Sequence, residues 1–124
     1  MIYGIGVDIL HLPRIEKVYR RHGQRFVERL LHPKEMMEFQ QARKPALFLA
    51  KCFAVKEAFV KALGTGFHGV AHDDAGLVRG PLGRPRLVFG AKLKRRLTRL
   101  KIKSAHVSLS DEGDLICAMV VLEK

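Results

Sequence analysis

The sequence predicts an α+β fold: one domain over residues 1–124, in which a small antiparallel sheet packs against a long central helix. Three observations lead there. Phe48 to Gly66 is rich in strong helix formers and has no breaker before Gly64. Met1 to Leu10 and Ile102 to Leu122 alternate or run apolar as strands do, the second stretch around a turn. The order of strand, helices, long helix and strands is that of an α+β domain, with no linker, internal repeat or low-complexity segment.

Met1 to Leu10 reads as a buried first strand with two faces. Tyr3, Ile5, Val7 and Ile9 are expected in the core. Ile2, Gly4, Gly6, Asp8 and Leu10 share the other face, where the glycines leave backbone bare beside Asp8, open to a ligand. The plainer reading makes Asp8 the cap of the next helix. Gly4-x-Gly6 is no dinucleotide fingerprint, because the third glycine is missing and the pair lies inside the strand.

Leu12 to Leu31 reads as one or two helices, with Pro13 in the first turn and Gly23 as a break. Arg14, Lys17, Arg20, Arg21, Arg25 and Arg29 give it a basic surface, and Arg14, Lys17 and Arg21 share one helical face. A short helix runs from Pro33 to Gln41.

Pro45 leads into the central helix. Alanines at 46, 50, 54, 58 and 62 form one slowly winding stripe that can admit a close neighbour. Bulky side chains cover most of the rest, which marks a central helix. Glu57 and Lys61 stand one turn apart in it, so an exposed i,i+4 pair is the bland reading. Gly64 is a C-cap in that reading; alternatively Gly64, Thr65 and Gly66 form a loop whose amides and hydroxyl meet phosphate.

Phe67 to Gly80 reads as loop and short strand. Its His68, His72, Asp73 and Asp74 have a weak resemblance to metal-ligand spacing. Leu82 to Arg86 is a turn, Leu87 to Phe89 a short strand, and Gly90 to Lys101 a basic amphipathic helix. In the closing hairpin Ala105, Val107 and Leu109 alternate with His106, Ser108 and Ser110, and Asp111 to Asp114 make the turn.

The totals exclude several classes. A hydrophobic fraction of 48% with 28% charged residues excludes a disordered chain. No apolar run is long enough to span a membrane, and the N-terminus lacks a signal peptide's basic region, so the cytoplasm is expected. Cys52 and Cys117 sit in separate apolar runs and are expected reduced and buried. The net charge of +11 points to an acidic partner: nucleic acid, anionic lipid, a phosphorylated ligand or an acidic protein.

Two stretches together narrow this. Gly4-Ile5-Gly6-Val7-Asp8-Ile9, continuing to Arg14-Ile15, resembles the N-terminal signature of bacterial holo-[acyl-carrier-protein] synthases. Phe53-Ala54-Val55-Lys56-Glu57-Ala58, then Lys61-Ala62 and Gly64-Thr65-Gly66, resembles the second signature of these short 4′-phosphopantetheinyl transferases. Leu82-Gly83-Arg84-Pro85 and the His106 to Ser110 strand fit the family's C-terminal half, so the similarity spans essentially the whole chain.

The resemblance implies an enzyme that moves the 4′-phosphopantetheine arm of coenzyme A onto a serine of apo-acyl carrier protein, releasing adenosine 3′,5′-bisphosphate. It implies Asp8 and Glu57 as Mg²⁺ ligands and Lys61 as a phosphate contact that assists the leaving group. One carboxylate, with Glu57 the first candidate, takes the serine proton. Gly64, Thr65, Gly66, Arg84, Pro85, His106 and Ser108 are implied around coenzyme A, and Arg14, Lys17, Arg21 and Arg25 as the docking face for the acidic carrier. It also implies a homotrimer with sites between adjacent subunits. One departure stands out: many relatives carry arginine, thought to contact coenzyme A phosphate, where this chain has Cys52, with Lys51, Arg84 or Arg86 as possible substitutes. Two other readings compete: a basic nucleic-acid-binding module, which the missing aromatics and motifs disfavour, and a non-catalytic trimer that only binds the carrier.

Overall fold

A computed structural model describes residues 1–124. Its elements follow the chain as β1 (Ile2–His11), α1 (Leu12–His22), α2 (Gln24–Leu30), α3 (Pro33–Phe39), α4 (Pro45–Leu63), β2 (Ala75–Arg79), β3 (Pro85–Phe89), α5 (Ala91–Arg99), β4 (Ser104–Glu112) and β5 (Leu115–Glu123). β1, β5 and β4 form an antiparallel sheet with β5 in the middle, and β2 and β3 form a separate antiparallel ribbon. The α+β expectation holds, with two small sheets where one was expected. No helix is long and apolar enough to cross a membrane.

α4 is the axis of the core. It starts on Pro45 and ends where Gly64 turns left-handed at φ 85°, its amide bonding the carbonyls of Val60 and Lys61. Ala50, Ala54, Ala58 and Ala62 are all buried, together with Leu49, Val55, Phe59, Val60 and Leu63. Ile116, Ala118, Val120 and Leu122 of β5 meet this core from the sheet.

The strand that α4 packs against is β1, and here the expected faces are reversed. The glycine face of β1 is the inner one. A methyl group on Gly6 would collide with the carbonyl of Ala58, and one on Gly4 with the carbonyl of Ala62. Glycine against alanine brings strand and helix backbones together, and no ligand can enter between them. The β-branched face points outward: Ile5 is 54% exposed, Val7 52% and Ile9 67%. Alternation separates the two faces but does not say which is inside, because β-branched side chains suit either a core or a subunit contact.

Pairing across the sheet sets Ile5, Val7 and Ile9 beside Val121, Met119 and Cys117 of β5. Those residues stand beside His106, Ser108 and Ser110 of β4. One sheet face therefore covers α4, and the other is a largely apolar surface edged by a polar strand.

Candidate active site

Asp8 and the α4 side chains come together at the edge of the β1–α4 contact. Because Gly4, Gly6 and Asp8 share the inner face of β1, Asp8 is directed toward the helix. It is not a helix cap: His11 holds the N-cap of α1, and no side chain bonds there. Lys61 Nζ donates to Asp8 Oδ1 at 3.2 Å and to the Val7 carbonyl at 3.0 Å. Lys61 thus pairs with β1 and not with Glu57, and the bland i,i+4 pair is not what forms.

Glu57 lies one turn before Lys61, half-buried. Its pKa is raised, first by burial and then by the negative charge of Asp8; Lys61 and Arg14 work against the rise. Two carboxylates on different elements are therefore close enough to repel. Arg14 lies over the Phe53 ring at 5.6 Å, one turn before Glu57, so a residue assigned to docking also borders the site.

The remaining expected residues lie around this centre. Gly64, Thr65 and Gly66 cap α4 one turn beyond Lys61, and the Thr65 hydroxyl donates to the Gly66 carbonyl. Arg84 and Pro85 sit at the exposed turn into β3. His106 and Ser108 lie on the outer face of the sheet, with His106 Nε2 2.7 Å from Glu123 Oε1. Within one chain the sheet separates them from Glu57. Arg14, Lys17, Arg21 and Arg25 are exposed on α1 and α2.

The His68, His72, Asp73 and Asp74 segment is not a metal centre, and nowhere do three or more potential metal-ligating residues converge. His72 instead stacks on Phe67 at 3.9 Å and Phe53 at 5.8 Å, while Asp74 accepts from the Ala71 amide. Cys52 is buried and its thiol pKa is pushed well up by that burial. It lines a cavity of about 200 Å³ with Glu38, Phe48, Lys51, Leu77 and Arg79.

Sequence reading missed one feature beside the site. Lys56 is buried, 1% exposed, and its ammonium bonds Glu35 Oε1 at 2.6 Å and the Leu30 carbonyl. Glu35, fully buried, also accepts from the His32 amide at 2.9 Å and the Leu77 amide at 2.7 Å. The signal was there in part: a lysine inside a helix this apolar needs a partner. Nothing in the spacing pointed to Glu35.

A family model described as the 4′-phosphopantetheinyl transferase superfamily matches residues 4–120. The chain is 46% identical to the holo-[acyl-carrier-protein] synthase of Neisseria meningitidis over 125 aligned positions covering all of both chains. The crystal structure of a Neisseria meningitidis holo-[acyl-carrier-protein] synthase superposes with a TM-score of 0.97 over 100% of both. The Helicobacter pylori synthase in complex with coenzyme A superposes with a TM-score of 0.83 at 29% identity, covering 96% of this chain and 99% of that one.

Proposed function

The chain belongs to the 4′-phosphopantetheinyl transferase superfamily, among its holo-[acyl-carrier-protein] synthases, and from that premise we propose how its residues work. It transfers the 4′-phosphopantetheine arm of coenzyme A to a serine of apo-acyl carrier protein, giving the holo-carrier and adenosine 3′,5′-bisphosphate. The observation that carries the residue assignment is the joining of Asp8 on β1 to Lys61 on α4, with Glu57 one turn away.

The serine hydroxyl attacks the phosphorus that bears the pantetheine arm. The phosphoanhydride oxygen leaves with the nucleotide, and the serine proton must go to a base. Glu57 is the proposed acceptor, as the half-buried carboxylate one turn from Lys61 at the centre of the site. Lys61 is half-exposed, so its long side chain can turn its ammonium from Asp8 to the phosphates and meet charge developing on the leaving group. Gly64, Thr65 and Gly66 would carry the coenzyme past the end of α4.

The donor set fits Mg²⁺. Two hard carboxylates come from separate elements, and the Asp8 charge, which adds to burial in raising the Glu57 pKa, is what a divalent cation offsets. Asp8 and Glu57 would hold the ion, with phosphate oxygens and water completing the shell. When bound, it supplies positive charge against the pyrophosphate.

A homotrimer belongs to the same proposal. The outer face of the sheet presents Ile5, Val7, Ile9 and Met119 to solvent, an apolar surface of the kind subunits cover. His106 and Ser108 share that face, so coenzyme contacts from them reach a Glu57 centre only between neighbouring chains. Sedimentation should give a trimer for the parent and a monomer for Val7→Glu; a trimeric Val7→Glu would contradict the assignment of this face. We place the reaction in the cytoplasm.

The test of the activity is direct. Incubation with coenzyme A, Mg²⁺ and apo-acyl carrier protein should add one phosphopantetheine to the carrier by intact mass. No adduct under any metal or salt condition would overturn the reading.

A further inference from the structure

α4 meets β1 through its alanine stripe, and alanines allow close approach while keying the surfaces together poorly. Small side chains leave shallow ridges, so the rotation of α4 about its axis is weakly fixed from that side. Rotation matters because Glu57 rides on α4 while Asp8 rides on β1. A turn of about 10° moves a carboxylate held some 6 Å from a helix axis by about 1 Å.

A directional hold on the helix lies elsewhere along it. Lys56, the residue before Glu57, reaches the Leu30 carbonyl at the end of α2 and Glu35 Oε1 on α3. Glu35 is held in turn by two backbone amides: His32 at the start of α3 and Leu77 in β2. Every buried polar side-chain atom in the structure has a partner, so this network is complete. Four elements besides β1 thus meet on one ion pair. For stability alone an apolar pair of similar volume serves as well or better, since taking both charges out of water offsets their attraction. A hydrogen-bonded pair differs in being directional.

We infer that the buried Glu35–Lys56 pair is a positioning device for Glu57: it sets the rotation of α4, and through it the spacing of the Asp8 and Glu57 carboxylates. Neither residue touches substrate; both act through the helix. The inference rests on the proposed role of Glu57.

Two variants test it. Glu35→Leu with Lys56→Met replaces the pair by apolar side chains and keeps the core filled. Glu35→Asp keeps the charge and shortens the reach, and its outcome decides if the double variant does not fold. Melting temperature, kcat, the KM values for coenzyme A and for the carrier, and Mn²⁺ binding by electron paramagnetic resonance are read for each, with Glu57→Gln as the control. In folded protein, kcat should fall at least about tenfold while both KM values stay within about threefold, because a misplacement near 1 Å costs rate and leaves distant contacts intact. Mn²⁺ binding should weaken in parallel. A purely structural pair would lower only the melting temperature, so a folded variant with kcat and Mn²⁺ affinity within twofold of the parent overturns the inference. If Glu57→Gln keeps parental kcat, it is the reading of the site that fails.

Discussion

Glu57 shows how one residue's surroundings become chemistry. Burial and Asp8 both favour its protonated form, so the carboxylate is held in a state that costs stability when ionised. The folded chain then binds this proton more tightly than the unfolded chain does. The group's contribution to stability is fully present below the ordinary glutamate pKa and is lost as pH rises through the raised value. In chelator, Glu57→Gln should therefore melt higher than the parent at pH 8, by an amount worth less than about 1 kcal/mol for so open a group. At pH 4 the two melting curves should converge. A Gln variant that melts lower than the parent at pH 8 would contradict this account of the carboxylate. The importance of Glu57 was legible in the sequence because a charge in so apolar a helix is conspicuous. Its partners were not, since Lys61 turns to a residue 53 positions away.

At the scale of elements, the fold is a glycine strand laid on an alanine helix. Both halves were readable: the alanine period and the Gly4–Gly6 pair are plain in the sequence. What their meeting does to the strand is not. Small residues on both sides are what let the backbones touch, so β1 turns its larger side chains outward against the usual expectation for isoleucine and valine. Gly6→Ala should therefore cost roughly 3 kcal/mol or more, at the upper end for overpacking, because the added methyl meets the rigid backbone of α4. Chemical denaturation would show it. A loss below about 1 kcal/mol would mean that the contact is looser than the structure has it. The Glu35–Lys56 pair belongs to this scale too. It joins positions 21 apart that share no motif or period, so only the assembled helices reveal it.

At the scale of the molecule, the charge of +11 is not evenly useful. β1 and β4 both run antiparallel to β5, so they run parallel to each other. α1 follows the end of β1 and α5 precedes the start of β4, which puts the two basic helices at opposite ends of the sheet. The α1 end adjoins Asp8 and Glu57, with Arg14 close enough to act on the Glu57 carboxylate. The carrier should therefore dock there: Lys17→Glu with Arg21→Glu is expected to raise the carrier's KM by about tenfold, leave that of coenzyme A within about threefold, and reduce the salt dependence. The same charge change at Lys94 and Arg95 on α5 alters net charge equally and should matter much less. Equal effects from the two helices would reduce the docking face to bulk attraction. These ends are not legible in the sequence, because position around a sheet depends on strand pairing.

The central claim is that Asp8 on β1 and Glu57 on α4 act as one unit. Initial rates of phosphopantetheine transfer for Asp8→Asn, Glu57→Gln and the double variant measure it most directly. Each single change should lower kcat by at least about a hundredfold, and the double should lose little more than the worse single, as groups that work together do. A double variant whose loss is the product of two modest single losses, or either single variant at parental rate, would contradict it.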